Sequence, residues 1–181
     1  KFLIKATGDE FFVTDSWQFY WDDLNGVKYL QYIPNTNHSL RNLEGDYNLG
    51  SLLAFYKSVI SEKELSQFDW YVSADSIYLN IDHSINSDYQ LKQWEAVNEN
   101  GRDFRVDTID RTWTSQNIPK TEDGKYAIHI SEAEKGYKAG LLEIVFNPEA
   151  DLPFTFTTGT VVTPNTFPFG DYMSKKPMGT R

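Results

Sequence analysis

Apolar and polar positions follow two different grammars along this chain, and the change falls near residue 66. Lys1-Phe2-Leu3-Ile4-Lys5-Ala6-Thr7 is a short apolar run closed by Gly8-Asp9, the form of a buried strand entering a turn. Thr14-Asp15-Ser16 offers N-cap side chains. Trp17, Tyr20, Trp21 and Leu24 then fall at i, i+3, i+4 and i+7, one stripe of a helix that Asn25-Gly26 stops. Residues Lys28 to Pro34 read as a second strand, and Pro34-Asn35-Thr36-Asn37 is turn chemistry. From Asn48 to about Glu64, the residues Leu49, Leu52, Leu53, Tyr56, Val59 and Ile60 keep helical spacing and predict an amphipathic helix.

Strand, helix, strand, helix is the order of a parallel sheet covered by helices, because parallel neighbours need a crossover connection. Two strands do not complete such a sheet. Residues 1–66 therefore read as the C-terminal portion of a larger α/β domain that begins elsewhere. After Gln67 the runs shorten and become β-rich: Trp70 to Asp75, Ser76 to Asp82, Tyr89 to Val97, Thr108 to Thr114, Tyr126 to Ser131, Leu141 to Phe146 and Phe154 to Thr158. Asn100-Gly101, Asp123-Gly124 and Asn147-Pro148 punctuate them. Ile77, Leu79 and Ile81 share one face of an alternating run, and about seven such strands fit a sandwich. The expected fold class is thus α/β plus all-β, with a β-sandwich-like domain over 67–170 and a loose tail over 171–181.

Charge narrows the function classes. Seventeen Lys plus Arg against 26 Asp plus Glu leaves a net charge of −9, which disfavours nucleic acid and anionic membrane surfaces as partners. No stretch approaches the roughly 20 uncharged apolar residues that span a bilayer. The absence of Cys removes disulfides, thiolate metal sites and cysteine nucleophiles together.

Reactive groups of an open α/β sheet sit just beyond the carboxyl ends of its strands. Asp9 follows the first strand and His38 follows the second. A strand-helix-strand unit places both turns on one edge, with strands about 4.8 Å apart, so an acid could hold one ring nitrogen while the other takes a proton from a nucleophile. The plainer alternatives are a turn-capping Asp and a solvated loop His. Asp15 is a rival acid better explained as the N-cap of the helical stripe.

These same residues carry a resemblance. Gly8-Asp9-Glu10-Phe11-Phe12, Asp15-Ser16, Gln18-Phe19-Tyr20 and Tyr32-Ile33-Pro34-Asn35-Thr36-Asn37-His38-Ser39-Leu40 resemble the PhoPQ-activated pathogenicity-related protein family. The likeness continues through Asp103-Phe104-Arg105, Trp113-Thr114-Ser115 and Phe154-Thr155-Phe156-Thr157-Thr158-Gly159, so it covers nearly the whole chain. It implies an exported, secreted or periplasmic protein similar to α/β-hydrolases, followed by a β-rich C-terminal domain. In the hydrolase chain order of Ser, acid, His, Asp9 matches the acid and His38 the base.

The departure is the nucleophile, because no G-x-S-x-G elbow occurs in these residues. Ser51 lacks the second Gly and falls inside the second helix, a structural position. The nucleophile is therefore expected in an N-terminal portion of the same hydrolase domain outside this chain, leaving these 181 residues inactive alone. That portion is the expected partner, with a small-molecule ester or peptide as substrate. No cofactor or metal is called for: His83 and His129 lie in or beside strands without convergent ligands. Trp70, Trp94 and Trp113 could form a glycan platform but read better as sandwich core. Asn37-His38-Ser39 is formally a glycosylation sequon that would crowd the base. A non-catalytic secreted interaction protein, its β domain binding a partner or carbohydrate, is the competing reading.

Overall fold

A computed structural model of the chain describes residues 1–41, 45, 49–62, 65, 67–82, 88–168 and 170. Strands β1 (Phe2–Ala6) and β2 (Tyr29–Ile33) run parallel, Phe2 opposite Tyr29 and Ala6 opposite Ile33. Every other strand among the described residues pairs antiparallel. These are β3 (Phe68–Ser73), β4 (Ser76–Ile81), β5 (Tyr89–Asn98), β6 (Thr114–Ile118), β7 (Lys125–His129), β8 (Tyr137–Phe146), β9 (Phe154–Thr157) and β10 (Val161–Thr163). One sheet has the order β3-β4-β7, the other β10-β8-β5-β6 with β9 also on β8. The described residues also form two short α-helices, α1 (Gly50–Ile60) and α2 (Val106–Ile109).

Alternation builds the core. Ile77, Leu79 and Ile81 of β4 and Tyr126 of β7 turn inward against Leu91 of β5, Ile144 and Phe146 of β8 and Phe156 of β9, all buried. Each such side chain contributes roughly 1.5–3 kcal/mol on leaving water. The opposite parity of the second sheet, Ala96, Ala139 and Leu141, buries against Leu30 and Tyr32 of β2, with Trp21, Phe104 and Trp113. Strand β8 is thus covered on both faces, which explains its unbroken apolar stretch from Ala139 to Leu142.

The expected α/β-hydrolase-like parallel sheet is not formed: among the described residues parallel pairing is confined to β1 and β2, and the architecture is mostly antiparallel β. The aromatic stripe after β1 shows why. Instead of a crossover α-helix there is one 3₁₀ turn, Ser16–Phe19. The Trp17 indole donates to the Thr160 carbonyl at 2.9 Å, and the rings of Trp17 and Trp21 lie 5.0 and 5.3 Å from that of Trp70. These large rings are bound to the antiparallel sandwich, and side-chain packing of that size outweighs helical propensity. A sandwich-like β arrangement over the later residues is what the short alternating runs led one to expect.

Three further differences have local causes. The strand expected over Thr108–Thr114 does not form, and α2 occupies its first residues, because the Asp103 carboxylate accepts from the Arg105 amide and the Thr108 hydroxyl at 3.1 and 3.0 Å, nucleating a turn. Asp110, at φ 56°, ends that turn, and β6 begins only at Thr114. Asp15 makes no capping bond; it pairs instead with Arg102 at 2.5 Å, both side chains buried. Finally, α1 is turned over. An amphipathic helix ordinarily shows its apolar stripe to the core, but α1 buries Ser51, Ala54 and Ser58 and exposes Leu52, Leu53, Tyr56, Val59 and Ile60. His83 and the tail over 171–181 lie outside the described residues.

Candidate functional site

The parallel register of β1 and β2 delivers two loops side by side. The Thr7 amide donates to the Ile33 carbonyl at 3.2 Å and the Gly8 amide to the Thr36 carbonyl at 3.0 Å, which extends the pairing one step past the strands. The Thr7 hydroxyl accepts from the Asn35 amide at 3.0 Å, and the Thr36 hydroxyl donates to the Ile33 carbonyl at 2.8 Å. Asn35 takes a left-handed conformation, φ 59°, a region that Asn tolerates better than most residues. Its amide group exchanges two 2.9 Å hydrogen bonds with the backbone of Trp113 and so ties the second loop to the sandwich.

Asp9 and His38 meet at the end of this ladder. The imidazole Nδ1 lies 3.0 Å from Asp9 Oδ2 and 3.2 Å from Oδ1. A carboxylate only accepts, so the neutral ring carries its proton on Nδ1 and keeps a lone pair on Nε2. Asp9 is buried while the His38 side chain is 48% exposed, so the acid is sheltered and the base reaches solvent. The Phe11 and Phe12 amides donate to Asp9 Oδ1 at 2.8 and 2.9 Å, fixing the carboxylate, and Glu10 Oε2 accepts from the His38 amide at 3.0 Å. Burial of Asp9 opposes its charge and is the largest influence. The Phe12 and Phe11 amides and the His38 bond together outweigh it and hold the carboxyl below its ordinary value. Rings of Phe11 and Phe12 stand 5.0 and 5.8 Å from the imidazole and cover it partly from water.

A pocket of about 360 Å³ opens beside this pair, lined by Leu3, Ile4, Lys5, Phe12, Tyr20 and Leu40 with Asp9 and His38. Lys5 is the residue that the apolar reading of β1 passed over. Its buried ammonium donates to Ser16 Oγ at 2.6 Å and Tyr20 Oη at 3.3 Å, among the rings of Phe12, Tyr20 and Tyr32. Burial pushes its pKa down, while the charges of Asp9 and Asp15 act in the opposite sense. A cation in the middle of an apolar strand was the signal available for it.

The other sequence candidates lie elsewhere. Ser51 is buried, and its hydroxyl accepts from the Thr155 amide at 3.3 Å, a structural contact. His129 pairs with Asp75 at 3.2 Å on the sandwich surface. Trp113 is buried, and Trp70 is half-buried in a stack with Trp21, so neither offers a flat platform. Another pocket, of about 330 Å³, gathers Asp69, Asp82 and Asp123, but lies among β3 and β4 residues and the loop before β7, with no residue in common with the Asp9 pocket. Among the described residues, no group of three or more His, Asp or Glu is placed to hold a metal ion, and no hydroxyl bonds to His38 Nε2.

A relative from Dictyostelium discoideum, Autocrine proliferation repressor protein A, is 31% identical over 192 residues, covering 93% of this chain. The chain spans 39% of that relative's length. No solved structure matches this chain. Residues 1–105, which include β1, β2, Asp9, His38 and α1, match the profile of the PhoPQ-activated pathogenicity-related protein, and the chain belongs to that family.

Proposed function

We propose that Asp9 and His38 are the acid and base of an exported serine-hydrolase-like centre whose nucleophilic serine lies in polypeptide outside these 181 residues. One observation supports this reading above the others: the buried carboxylate holds Nδ1 at 3.0 Å and leaves Nε2 on a half-exposed ring beside a pocket. That is the orientation a general base requires. His38 Nε2 takes the hydroxyl proton as the serine oxygen bonds to the carbonyl carbon of an ester or peptide. It then returns that proton to the departing alcohol or amine, and water releases the acyl group by the same route. Asp9 stabilises the imidazolium formed between these steps. The partly apolar pocket suits an uncharged acyl group or a side chain.

Fluorophosphonate labelling of the full-length protein tests it. Stoichiometric labelling of one serine, lost in His38→Ala, is the expected result; a correctly folded full-length protein that takes up no label removes the proposal. The competing reading, a non-catalytic secreted protein whose sandwich binds a partner or carbohydrate, draws on the relative's description as a proliferation repressor.

A further inference from the structure

Helix α1 packs inward through its small residues and presents its apolar stripe to solvent among the described residues. Of its eleven residues, Ser51, Ala54 and Ser58 face inward, and the Ser51 hydroxyl bonds the Thr155 amide of β9. Phe55 anchors one flank, its ring 5.1 Å from Phe2 and 6.0 Å from Tyr29. Leu52, Leu53, Tyr56, Val59 and Ile60 occupy the opposite side at 41–60% exposure. Helical spacing puts those five on one contiguous stripe. Small residues inward let the helix lie close on the sheet, and large residues outward give it a second contact layer, so α1 has the composition of a helix packed between two layers. A stripe of this kind left in water is an interaction surface or an aggregation liability.

We infer that this stripe is covered by another part of the same polypeptide, outside the 181 residues. The choice of occupant rests on length: the matched relative carries most of its own chain beyond the stretch shared with this one, and the shared stretch includes α1. Apolar rather than charged chemistry also marks the contact as permanent, since obligate interfaces are more hydrophobic than transient ones, and only Lys57 interrupts this stripe. The inference shares with the proposed function the need for polypeptide outside these residues, but does not require Asp9 and His38 to be catalytic.

Cysteine protection tests it in the full-length protein, since residues 1–181 contain no Cys. Leu52→Cys and Val59→Cys are expected to react with a maleimide about 100-fold or more slowly in the native than in the denatured protein, with Lys125→Cys on the exposed sandwich face reacting at once. The modified peptides are identified by mass spectrometry, and light scattering gives the oligomeric state. Fast native labelling at 52 and 59 overturns the inference. Protection that disappears when an oligomer is diluted to monomer also overturns it, assigning the stripe to a second copy. Protection in a monomer supports it whether or not a serine takes up fluorophosphonate.

Discussion

Gly8 lies against Val106 at a distance no side chain permits: a Cβ on residue 8 would fall 2.4 Å from Val106 Cγ2 and 2.9 Å from the Val106 nitrogen. The Val106 amide donates to the Gly8 carbonyl at 3.1 Å, and the Gly8 amide donates to Thr36. The residue before Asp9 is thus clamped between the second loop and the start of α2. Gly8→Ala forces backbone apart on one side or the other. Overpacking of this kind costs about 1–3 kcal/mol, and chemical denaturation is expected to show that loss; an unchanged midpoint would mean the clamp is looser than the contact distances require.

Asp9→Asn separates the site's chemistry from its scaffold. Both the Phe11 and Phe12 amides bond to Oδ1, so an Asn oxygen in that place keeps them. The Asn amide then faces His38 Nδ1 with a donor, and the ring must present Nδ1 as acceptor, moving its proton to Nε2. Fluorophosphonate labelling of the full-length protein is expected to slow on the order of 10³–10⁴-fold, with stability held within about 1 kcal/mol. Equal losses in Asp9→Asn and Asp9→Ala, in rate and stability alike, would contradict this division.

The lowered Asp9 pKa gives the site a signed pH dependence. A carboxyl whose folded value lies below its unfolded value of about 3.9 contributes stability that is fully present above that value and lost as pH falls through the folded one. The stability difference between wild type and Asp9→Asn is therefore expected to be flat near neutrality and to shrink as pH drops below about 4. Urea titrations from pH 7 to pH 2.5 measure it. A difference that grows in acid has the wrong sign for this account.

Asp15 and Arg102 form a pair sheltered on both sides, 2.5 Å apart with 6% and 9% side-chain exposure. Removing one partner strands the other charge away from water, at a cost of about 3–5 kcal/mol. Arg102→Met alone is expected to lose that much, and Asp15→Leu with Arg102→Met to recover most of it, because two apolar groups leave no buried charge behind. Additive losses in the double variant would show that the pair acts through packing alone.

Much of this was legible in the chain. Alternation in 76–82 placed β4 and its inward Ile77, Leu79 and Ile81. The runs before Gly8 and Pro34 located β1 and β2, and the parallel pairing of those strands brings Asp9 and His38 to one edge. Sequence reasoning failed where a local preference met a larger tertiary gain. Trp17 and Trp21 have helical spacing, but their rings pack on Trp70 and the Trp17 indole bonds the Thr160 carbonyl, and only a 3₁₀ turn remains. Asp15 looked like a cap because capping is a local property, and Arg102 lies 87 residues away.

What the sequence determined by itself is periodic or local: where most of the strands and turns fall, that the net charge is −9, and that an acid and an imidazole each follow a strand of the first segment. What only the tertiary structure decided is orientation between distant parts. Spacing defines the stripe on α1 without saying which way it faces, and nothing near Gly8, Lys5 or Asn35 in the chain announces Val106, Ser16 or Trp113 as their partners. A period describes one element about its own axis, whereas a face is chosen by the competition among all surfaces that seek cover.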